Sequence, residues 1–210
     1  MICVSIGSGS PDEAKKILRK SGFIELRADL LHWKPEEYRE VILSGYKIVF
    51  TCRPGDYSNP ERLELFGMAM DAGAAYIDVE IESEGSFLDG VRNLVGLNST
   101  QIIVSYHNYE MTPSQDMIEA KLEECYNAGG DVAKIACRVH SPADAARLLS
   151  LYGISGRKVI LGMGKIGKIT RLAATLLGAE FTFASSGDGE ATAEGQLSYD
   201  KMKEIIKIIQ

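Results

Sequence analysis

Short apolar runs rich in β-branched residues recur along the chain, and segments with helical periodicity separate them. The runs begin at residues 2, 23, 47, 76, 101, 131, 158 and 181, at intervals of 21 to 30 residues. Each interval has room for one strand, one helix and two short loops. Most runs are continuously apolar, which is typical of parallel strands that are buried on both faces. The pattern therefore predicts eight βα units.

Capping residues mark where several of the intervening helices begin. The segment Ser10-Pro11-Asp12-Glu13 places Ser at the N-cap, Pro at the first helical position and acids in the first turn. Segments 35–37, 112–114 and 141–144 repeat the device. The last helix is predicted over residues 198–208, where apolar side chains follow the helical spacing.

Eight βα units in 210 residues predict an α/β fold of the (β/α)8 TIM-barrel type, with residues 1–210 as one domain. A doubly wound parallel sheet is the alternative, since it shows the same alternation of strands and helices. Its dinucleotide-binding signature does not fit here. The G-x-G-x-x-G outline of residues 162–167 follows the seventh strand instead of the first, and no acid ends a strand about 20 residues later.

Composition and charge narrow the functional classes. The 23 basic and 29 acidic residues give a net charge of −6, and no basic stripe is visible, so a nucleic-acid binder is not expected. No run approaches the roughly 20 apolar residues of a membrane span, and the N-terminus lacks a basic signal-peptide region. We therefore expect a cytoplasmic protein. The four cysteines form no CxxC pair and are expected to be buried thiols, and the presence of only three histidines argues against a His-rich metal site.

Charged residues at the ends of predicted strands are the first candidates for chemistry, because catalytic residues of such barrels lie at the carboxyl ends of the strands. Glu25 and Arg27 share one face of strand two, Arg53 follows strand three, and His107 ends strand five. Each has a plain alternative. Glu25 and Arg27 could form a structural salt bridge, Arg53 could lie on the surface, and His107 could be a rim residue.

Strand six carries the most informative residue, because Lys134 interrupts an otherwise apolar run. Lysine is almost never fully buried unless it is paired or functional. A neutral lysine amine can attack a carbonyl and form a Schiff base. The alternative is a lysine that extends to solvent from the end of a strand.

Two later segments could bind and cover a substrate. The glycines of 162–167 could let backbone amides approach an oxyanion, and Arg171 could bind the same oxyanion through two of its guanidinium nitrogens. Loop glycines and a helix-surface arginine are the alternative. The glycine-rich, acidic segment 185–195 leads to Gln196 and suits a mobile lid, although a plain connector explains it as well.

These residues stand in motifs that resemble type I 3-dehydroquinate dehydratase, the Schiff-base dehydratase of the shikimate pathway of aromatic amino acid biosynthesis. The resemblance extends from strand two to the final helix. The matching segments are Glu25-Leu26-Arg27-Ala28-Asp29, Phe50-Thr51-Cys52-Arg53, Tyr76-Ile77-Asp78-Val79-Glu80, Ser105-Tyr106-His107, Val132-Ala133-Lys134-Ile135-Ala136, Gly162-Met163-Gly164-Lys165-Ile166-Gly167-Lys168-Ile169-Thr170-Arg171 and Gly195-Gln196.

The resemblance implies a (β/α)8 fold and the reversible dehydration of 3-dehydroquinate to 3-dehydroshikimate, with no metal or other cofactor. It implies that Lys134 forms the imine with the C3 ketone. It also implies that His107 removes the C2 proton and helps the C1 hydroxyl to leave as water. The resemblance further points to a homodimer.

The same resemblance implies the substrate-binding residues. Arg171 holds the substrate carboxylate by this likeness, and Gln196 belongs to the lid together with the hydroxyl of Thr192. Contacts to the ring hydroxyls, and the orientation of the two catalytic residues, are assigned to Glu25, Arg27 and Arg53.

The sequence departs from the family pattern at two places. The loop after Arg53 lacks the usual E-G-G stretch, which makes Asp56 a candidate for the acidic partner of His107. The lid contains Glu194 where many members have proline in an S-A-P-G-Q segment. A class I aldolase that uses the same lysine and a non-catalytic carboxylate-binding barrel remain as alternative functions.

Overall fold

The structure, a computed structural model, describes residues 1–95, 99–187 and 191–209. In these ranges eight strands form one sheet, and all neighbouring strands run parallel. The strands are β1 (Ile2–Ile6), β2 (Phe23–Arg27), β3 (Lys47–Thr51), β4 (Tyr76–Glu80), β5 (Gln101–Asn108), β6 (Val132–Arg138), β7 (Lys158–Met163) and β8 (Thr182–Ser185).

The order of the strands confirms the predicted (β/α)8 barrel. Strands β1 to β7 lie side by side in chain order, and β8 pairs with the other edge of β1. The backbone N–H of Glu180 donates to the carbonyl of Lys158 (2.9 Å), which links the starts of β8 and β7 and nearly closes the sheet. A doubly wound sheet would instead reverse its strand order near the middle.

Helices cover the outside of the barrel. Among the described residues, no helix is both long and apolar enough to cross a membrane. The helices are α1 (Pro11–Ser21), α2 (Ala28–Leu31), α3 (Pro35–Ile42), α4 (Asn59–Asp71), α5 (Gly85–Val95), α6 (Gln115–Asn127), α7 (Pro142–Ser150), α8 (Gly164–Ala173) and α9 (Tyr199–Ile209), with a short 3-10 turn at Leu151–Gly153.

The predicted helix starts are confirmed at three helices and wrong at a fourth. Helix α3 begins at Pro35, with acids in its first turn. Ser10 and Ser141 cap α1 and α7, and each accepts a hydrogen bond from the backbone N–H three residues later. In contrast, α6 begins only at Gln115, so Pro113 precedes the helix. The hydroxyl of Thr112 donates to the carbonyl of Arg138 (2.6 Å), which fixes this loop against the end of β6 instead of capping a helix.

Alternation along the strands divides the apolar side chains into two layers. One cluster fills the barrel interior and includes Cys3, Phe23, Val49, Phe181 and Phe183. The second and larger cluster lies between the strands and the helices. All four cysteines are buried and free, as predicted, and they pack as small apolar side chains within these layers.

Two glycines allow α8 to lie directly against the end of β7. A Cβ atom on Gly167 would lie 2.5 Å from the carbonyl carbon of Gly162, a backbone atom that has no room to move aside. The close approach places the first turn of α8 beside the carboxyl end of β7, and Arg171 follows in the last turn of the same helix. These glycines therefore serve packing between a strand and the helix that follows it.

We expect Gly167→Ala to lower the free energy of unfolding by about 1–2 kcal/mol, because the overpacking cost exceeds the gain in helix propensity. Chemical denaturation measures this change. Gly85→Ala is the matched control, since nothing lies within 4 Å of the position that its methyl group would take and α5 begins there. Equal stability of the two variants would contradict the close-packing role.

Candidate active site

A cavity of about 400 Å³ opens at the carboxyl ends of the strands. Tyr109, Arg138 and Glu194, which the sequence did not assign to substrate, also line it. The cavity brings together all eight residues that the sequence singled out for catalysis or binding: Glu25, Arg27, Arg53, His107, Lys134, Arg171, Thr192 and Gln196.

Strand register places the predicted lysine and histidine on one inner face. Ser105 of β5 pairs with Lys134 of β6, and His107 pairs with Ala136 one step nearer the rim. Because side chains alternate along a strand, Ser105 and His107 share the face toward which Lys134 points. The sequence placed His107 at the end of strand five, and β5 does extend past it to Asn108, so His107 is held by the sheet itself.

A buried carboxylate that the sequence analysis missed lies beneath Lys134. Asp78 is fully buried, and its Oδ2 lies 2.7 Å from Lys134 Nζ while its Oδ1 lies 2.9 Å from Arg53 Nη2. The hydroxyl of Ser105 donates to the same Oδ1 (2.7 Å). Burial alone would raise the pKa of Asp78, but Arg53 and Lys134 outweigh it and hold that pKa well below its ordinary value.

The signal that identified Lys134 was also present at Asp78. Both are charged residues inside otherwise apolar strands, and both point into the barrel. A buried charge of either sign requires a partner, so an inward lysine and an inward aspartate two strands away are candidates for each other. The resulting ion pair excludes the alternative that Lys134 simply extends to solvent, because only 5% of the residue is exposed.

Arg53 is part of the same network and does not lie on the surface. Its Nη1 donates to Ser105 Oγ (3.0 Å) and lies 3.5 Å from Glu80 Oε1. The preceding carbonyl, that of Cys52, accepts a hydrogen bond from Arg62 Nε (2.9 Å), which anchors the end of β3 to α4. Arg53 therefore connects two acids of β4 to the cavity.

Glu25 and Arg27 line the cavity but have different partners. Glu25 accepts hydrogen bonds from the hydroxyls of Ser5 and Thr51, the latter at 2.9 Å. The guanidinium of Arg27 donates two hydrogen bonds to the carboxylate of Asp29, from Nε to Oδ1 (3.0 Å) and from Nη2 to Oδ2 (2.6 Å). The simple Glu25–Arg27 salt bridge considered above is therefore wrong.

His107 lies in a half-buried position where its charged form is disfavoured. Burial, followed by the nearby cations Arg53 and Lys134, holds the pKa of His107 well below its ordinary value of 6.5. The ring stacks on Tyr109, with centroids 5.9 Å apart and planes 11° from parallel. Its Nδ1 is buried and has no hydrogen-bond partner among residues 1–95, 99–187 and 191–209.

The acidic partner suggested for this histidine is not Asp56. The side chain of Asp56 is 83% exposed, and its Oδ2 lies 3.7 Å from Nε2 of His32. The loop after β3 therefore turns this carboxylate toward α2 and away from the barrel centre. The local sequence could not show this, because it depends on where His32 and Tyr57 stack against each other.

Arg171 presents a buried positive charge to the cavity without a matching acid. Its exposure is 1%, its Nη1 donates weakly to the carbonyl of Phe183 (3.5 Å), and its Nε has no partner in the described part of the chain. Burial lowers the pKa of Arg171 to about 10, so the guanidinium stays charged at neutral pH. A buried, under-satisfied guanidinium is a binding site for an anion.

Two of the three glycine amides that the sequence offered to an oxyanion, those of Gly162 and Gly164, have partners within the protein. The N–H of Gly162 donates to Thr170 Oγ1 (2.7 Å), and the N–H of Gly164 donates to the carbonyl of Glu194 (3.3 Å). Both donors are thus used within the protein, and the glycines serve the close packing described above.

Residues 191–196, which we call the lid segment, lie over one side of the cavity. Thr192 Oγ1 donates to Ser5 Oγ (2.7 Å), and the Thr192 N–H donates to the side-chain oxygen of Gln196 (2.9 Å). The lid predicted over 185–195 includes residues 188–190, which lie outside the described residues. Within the part of the chain that is described, no group of three or more His, Cys, Asp or Glu is placed to hold a metal ion.

Fold and cavity together define the class: a (β/α)8-barrel enzyme whose chemistry lies at the carboxyl ends of its strands. The sequence model of the family described as Type I 3-dehydroquinase matches residues 2–210. A 3-dehydroquinate dehydratase of Methanococcus maripaludis is 37% identical, over 100% of both chains. The chain therefore belongs to the type I 3-dehydroquinase family, a family of hydro-lyases.

Solved structures agree with this assignment. The crystal structure of 3-dehydroquinate dehydratase from Aquifex aeolicus has a TM-score of 0.85 at 31% identity, and the match covers 100% of this chain and 99% of that one. That of the Geobacillus kaustophilus enzyme has a TM-score of 0.87 at 26% identity, covering 100% and 90%. The predicted resemblance to this family is thereby confirmed.

We expect His107 to titrate below pH 6.5, because burial and two neighbouring cations oppose its protonation. An NMR titration of the histidine ring protons measures this directly, and the signal is assigned by its loss in His107→Gln. Because a base acts only when neutral, activity should persist as pH falls below 6.5 and decline at the lowered pKa. Titration at or above 6.5 would contradict the environment described here.

Proposed function

We propose that this enzyme converts 3-dehydroquinate reversibly to 3-dehydroshikimate and water through a Schiff base on Lys134, as a step of the shikimate pathway. The observation that carries the proposal is the unpaired guanidinium of Arg171 in the same cavity as the buried amine of Lys134. The family and the names of its members support the overall reaction. The roles of individual residues are our proposal.

The charges around the cavity favour a substrate with one negative charge. Four of the five lining cations face an acid: Arg27 faces Asp29, Arg53 and Lys134 share Asp78, and Arg138 faces Glu194. In the described ranges Arg171 alone faces none. A single carboxylate on the substrate would complete this arrangement, as the carboxylate of 3-dehydroquinate does.

The first chemical step is attack of the Lys134 amine on the C3 ketone. The ammonium that now contacts Asp78 first gives up a proton, for which the neutral ring of His107 is the acceptor within the cavity. The amine adds to the carbonyl carbon to form a carbinolamine. His107 returns its proton to the carbinolamine hydroxyl, which leaves as water, and this gives a protonated imine and a neutral histidine ring.

The second step is elimination next to the imine. The iminium withdraws electrons, so the C2–H becomes more acidic than it is beside a ketone, and neutral His107 removes that proton. The C2–C1 double bond forms as the C1 hydroxyl leaves with the proton returned by His107, giving water. Hydrolysis of the imine consumes one water, releases 3-dehydroshikimate and restores the Lys134 amine.

The remaining residues hold the ring while this happens. Glu25, fixed by Ser5 and Thr51, and Arg27, fixed by Asp29, present polar groups to ring hydroxyls. Thr192 and Gln196 cover the substrate from the lid segment. The iminium is the electron sink of the mechanism, so we propose no cofactor.

Two alternatives differ from this proposal in what they produce. A class I aldolase would use the same lysine but would cleave a carbon–carbon bond, and family membership favours dehydration. A non-catalytic carboxylate-binding barrel would bind at Arg171 and turn nothing over. The cytoplasmic location and the homodimer stay predictions from the sequence.

Sodium borohydride added with 3-dehydroquinate should reduce the imine and attach the ligand to the peptide that contains Lys134, because a Schiff base is trapped as a stable amine. Peptide mass spectrometry locates the adduct, and enone absorbance of the product follows turnover. Lys134→Met should show neither adduct nor turnover. An adduct on Lys165 or Lys168, or turnover without any adduct, would contradict the assignment.

Arg171→Ala should raise KM at least tenfold, because a desolvated, charge-assisted contact to a carboxylate is worth on the order of 2–4 kcal/mol. Steady-state kinetics with 3-dehydroquinate measures the change. Arg92→Ala, which removes a surface arginine far from the cavity, is the control and should leave KM unaltered. An unaltered KM in Arg171→Ala would place the carboxylate elsewhere.

A further inference from the structure

The lid segment contacts the barrel rim at three separate places. The hydroxyl of Thr192 donates a hydrogen bond to Ser5 of β1. The carbonyl of Glu194 accepts a hydrogen bond from the N–H of Gly164, at the start of α8. The third contact joins the carboxylate of Glu194 to the guanidinium of Arg138, at the end of β6. The lid segment is thus tied to β1, to the β7–α8 turn and to β6.

Arg138 occupies a position that the mechanism above does not use. It lies four residues after Lys134 on the same strand, so both side chains belong to the inner face of the barrel. Both Arg138 and Glu194 line the cavity. Their ion pair therefore lies at the mouth of the cavity, above the proposed imine.

We propose that Arg138 and Glu194 are positioning residues whose ion pair holds the lid segment closed over the cavity. The consequence for substrate, that Thr192 and Gln196 are kept in contact with it, rests on the function proposed above. The position of the lid segment itself does not.

The other two contacts explain why the ion pair matters. The hydrogen bond from the Gly164 N–H to the Glu194 carbonyl is long, at 3.3 Å. The hydrogen bond from the Thr192 hydroxyl to the Ser5 hydroxyl is a single contact between neutral groups. Gly195 has φ +86°, and a Cβ there would lie 2.5 Å from the carbonyl oxygen of Gly164. The segment therefore approaches α8 through bare backbone, and the charged pair supplies its side-chain attachment to β6.

The exposure of the pair sets the size of the effect. The side chains of Arg138 and Glu194 are 33% and 60% exposed, so solvent and salt weaken their attraction. A contact of this kind typically changes an equilibrium by about two- to fivefold. That is strong enough to favour the closed lid and weak enough to let substrate enter.

Hydrogen–deuterium exchange of the ligand-free protein tests the proposal without reference to activity. Arg138→Gln and Glu194→Gln should each speed exchange of the amides in the lid segment by about two- to fivefold, because the closed state is less populated. The double variant should exchange no faster than either single variant, since only one interaction is removed. In the unaltered protein, about 1 M salt should move exchange in the same direction.

Asp89→Asn is the matched control. It breaks the pair between Arg92 and Asp89, whose side chains are 40% and 67% exposed, on a helix away from the cavity. This variant should leave exchange of the lid segment unaltered. The proposal would be overturned if lid-segment exchange in the single variants were as slow as in this control. It would also be overturned if the double variant accelerated exchange by the sum of the two single effects.

Kinetics then separates positioning from a general loss of structure. Arg138→Gln and Glu194→Gln should raise KM for 3-dehydroquinate by the same two- to fivefold factor, while kcat and the unfolding transition stay unaltered. A fall in kcat alone, with lid exchange unaltered, would overturn the positioning role. If no variant and not even the original protein turns over 3-dehydroquinate, the function fails while the exchange experiment still decides the proposal for the lid.

Discussion

The Asp78 carboxylate is the interaction on which the rest of the site depends. It is fully buried, and it contacts two inward cations, Lys134 at 2.7 Å and Arg53 at 2.9 Å. Without it, Lys134 would be desolvated with no compensating charge, which costs several kcal/mol, and Arg53 would keep only its contact with Glu80 at 3.5 Å. A reactive amine can therefore be placed inside this barrel only because an acid two strands away accompanies it.

This constraint also shapes the remaining charges. Strands β2, β3, β4 and β6 contribute ionised side chains to the same end of the barrel, and most of these are paired locally. Such pairing compensates most of the positive charges that line the cavity. Under the proposed function, the positive charge of Arg171, which faces no acid among the described residues, selects a substrate with one carboxylate, since a second such cation would favour a different anion.

The sequence predicted the fold well because the relevant signals are local. Apolar runs at regular intervals and the serine–proline caps of α1 and α7 require nothing beyond neighbouring residues. Site residues such as His107 and Lys134 could be found because strand ends of a parallel barrel meet at one place. Their partners could not, since pairing Lys134 with Asp78, or Glu194 with Arg138, joins residues 56 positions apart in each case. Asp56 was misassigned for the same reason, because nearness in sequence to Arg53 does not fix the direction of a loop.

The ion pair that makes Lys134 tolerable inside the barrel also makes it unreactive in the ligand-free state. An ammonium in contact with a carboxylate has no lone pair, so attack on a ketone requires its proton to move elsewhere first. The structure provides a neutral ring at His107, whose pKa is lowered by burial and by the same cations that Asp78 balances. In the mechanism proposed above, a proton that moves from Lys134 to His107 is bound weakly there, which favours its transfer to a leaving hydroxyl. In the same proposal, an anionic substrate that binds beside Arg171 adds negative charge to the cavity and stabilises the protonated ring, so substrate binding and activation of the amine are electrostatically linked. Asp78 thus makes it possible to bury Lys134, and the same buried surroundings lower the proton affinity of His107.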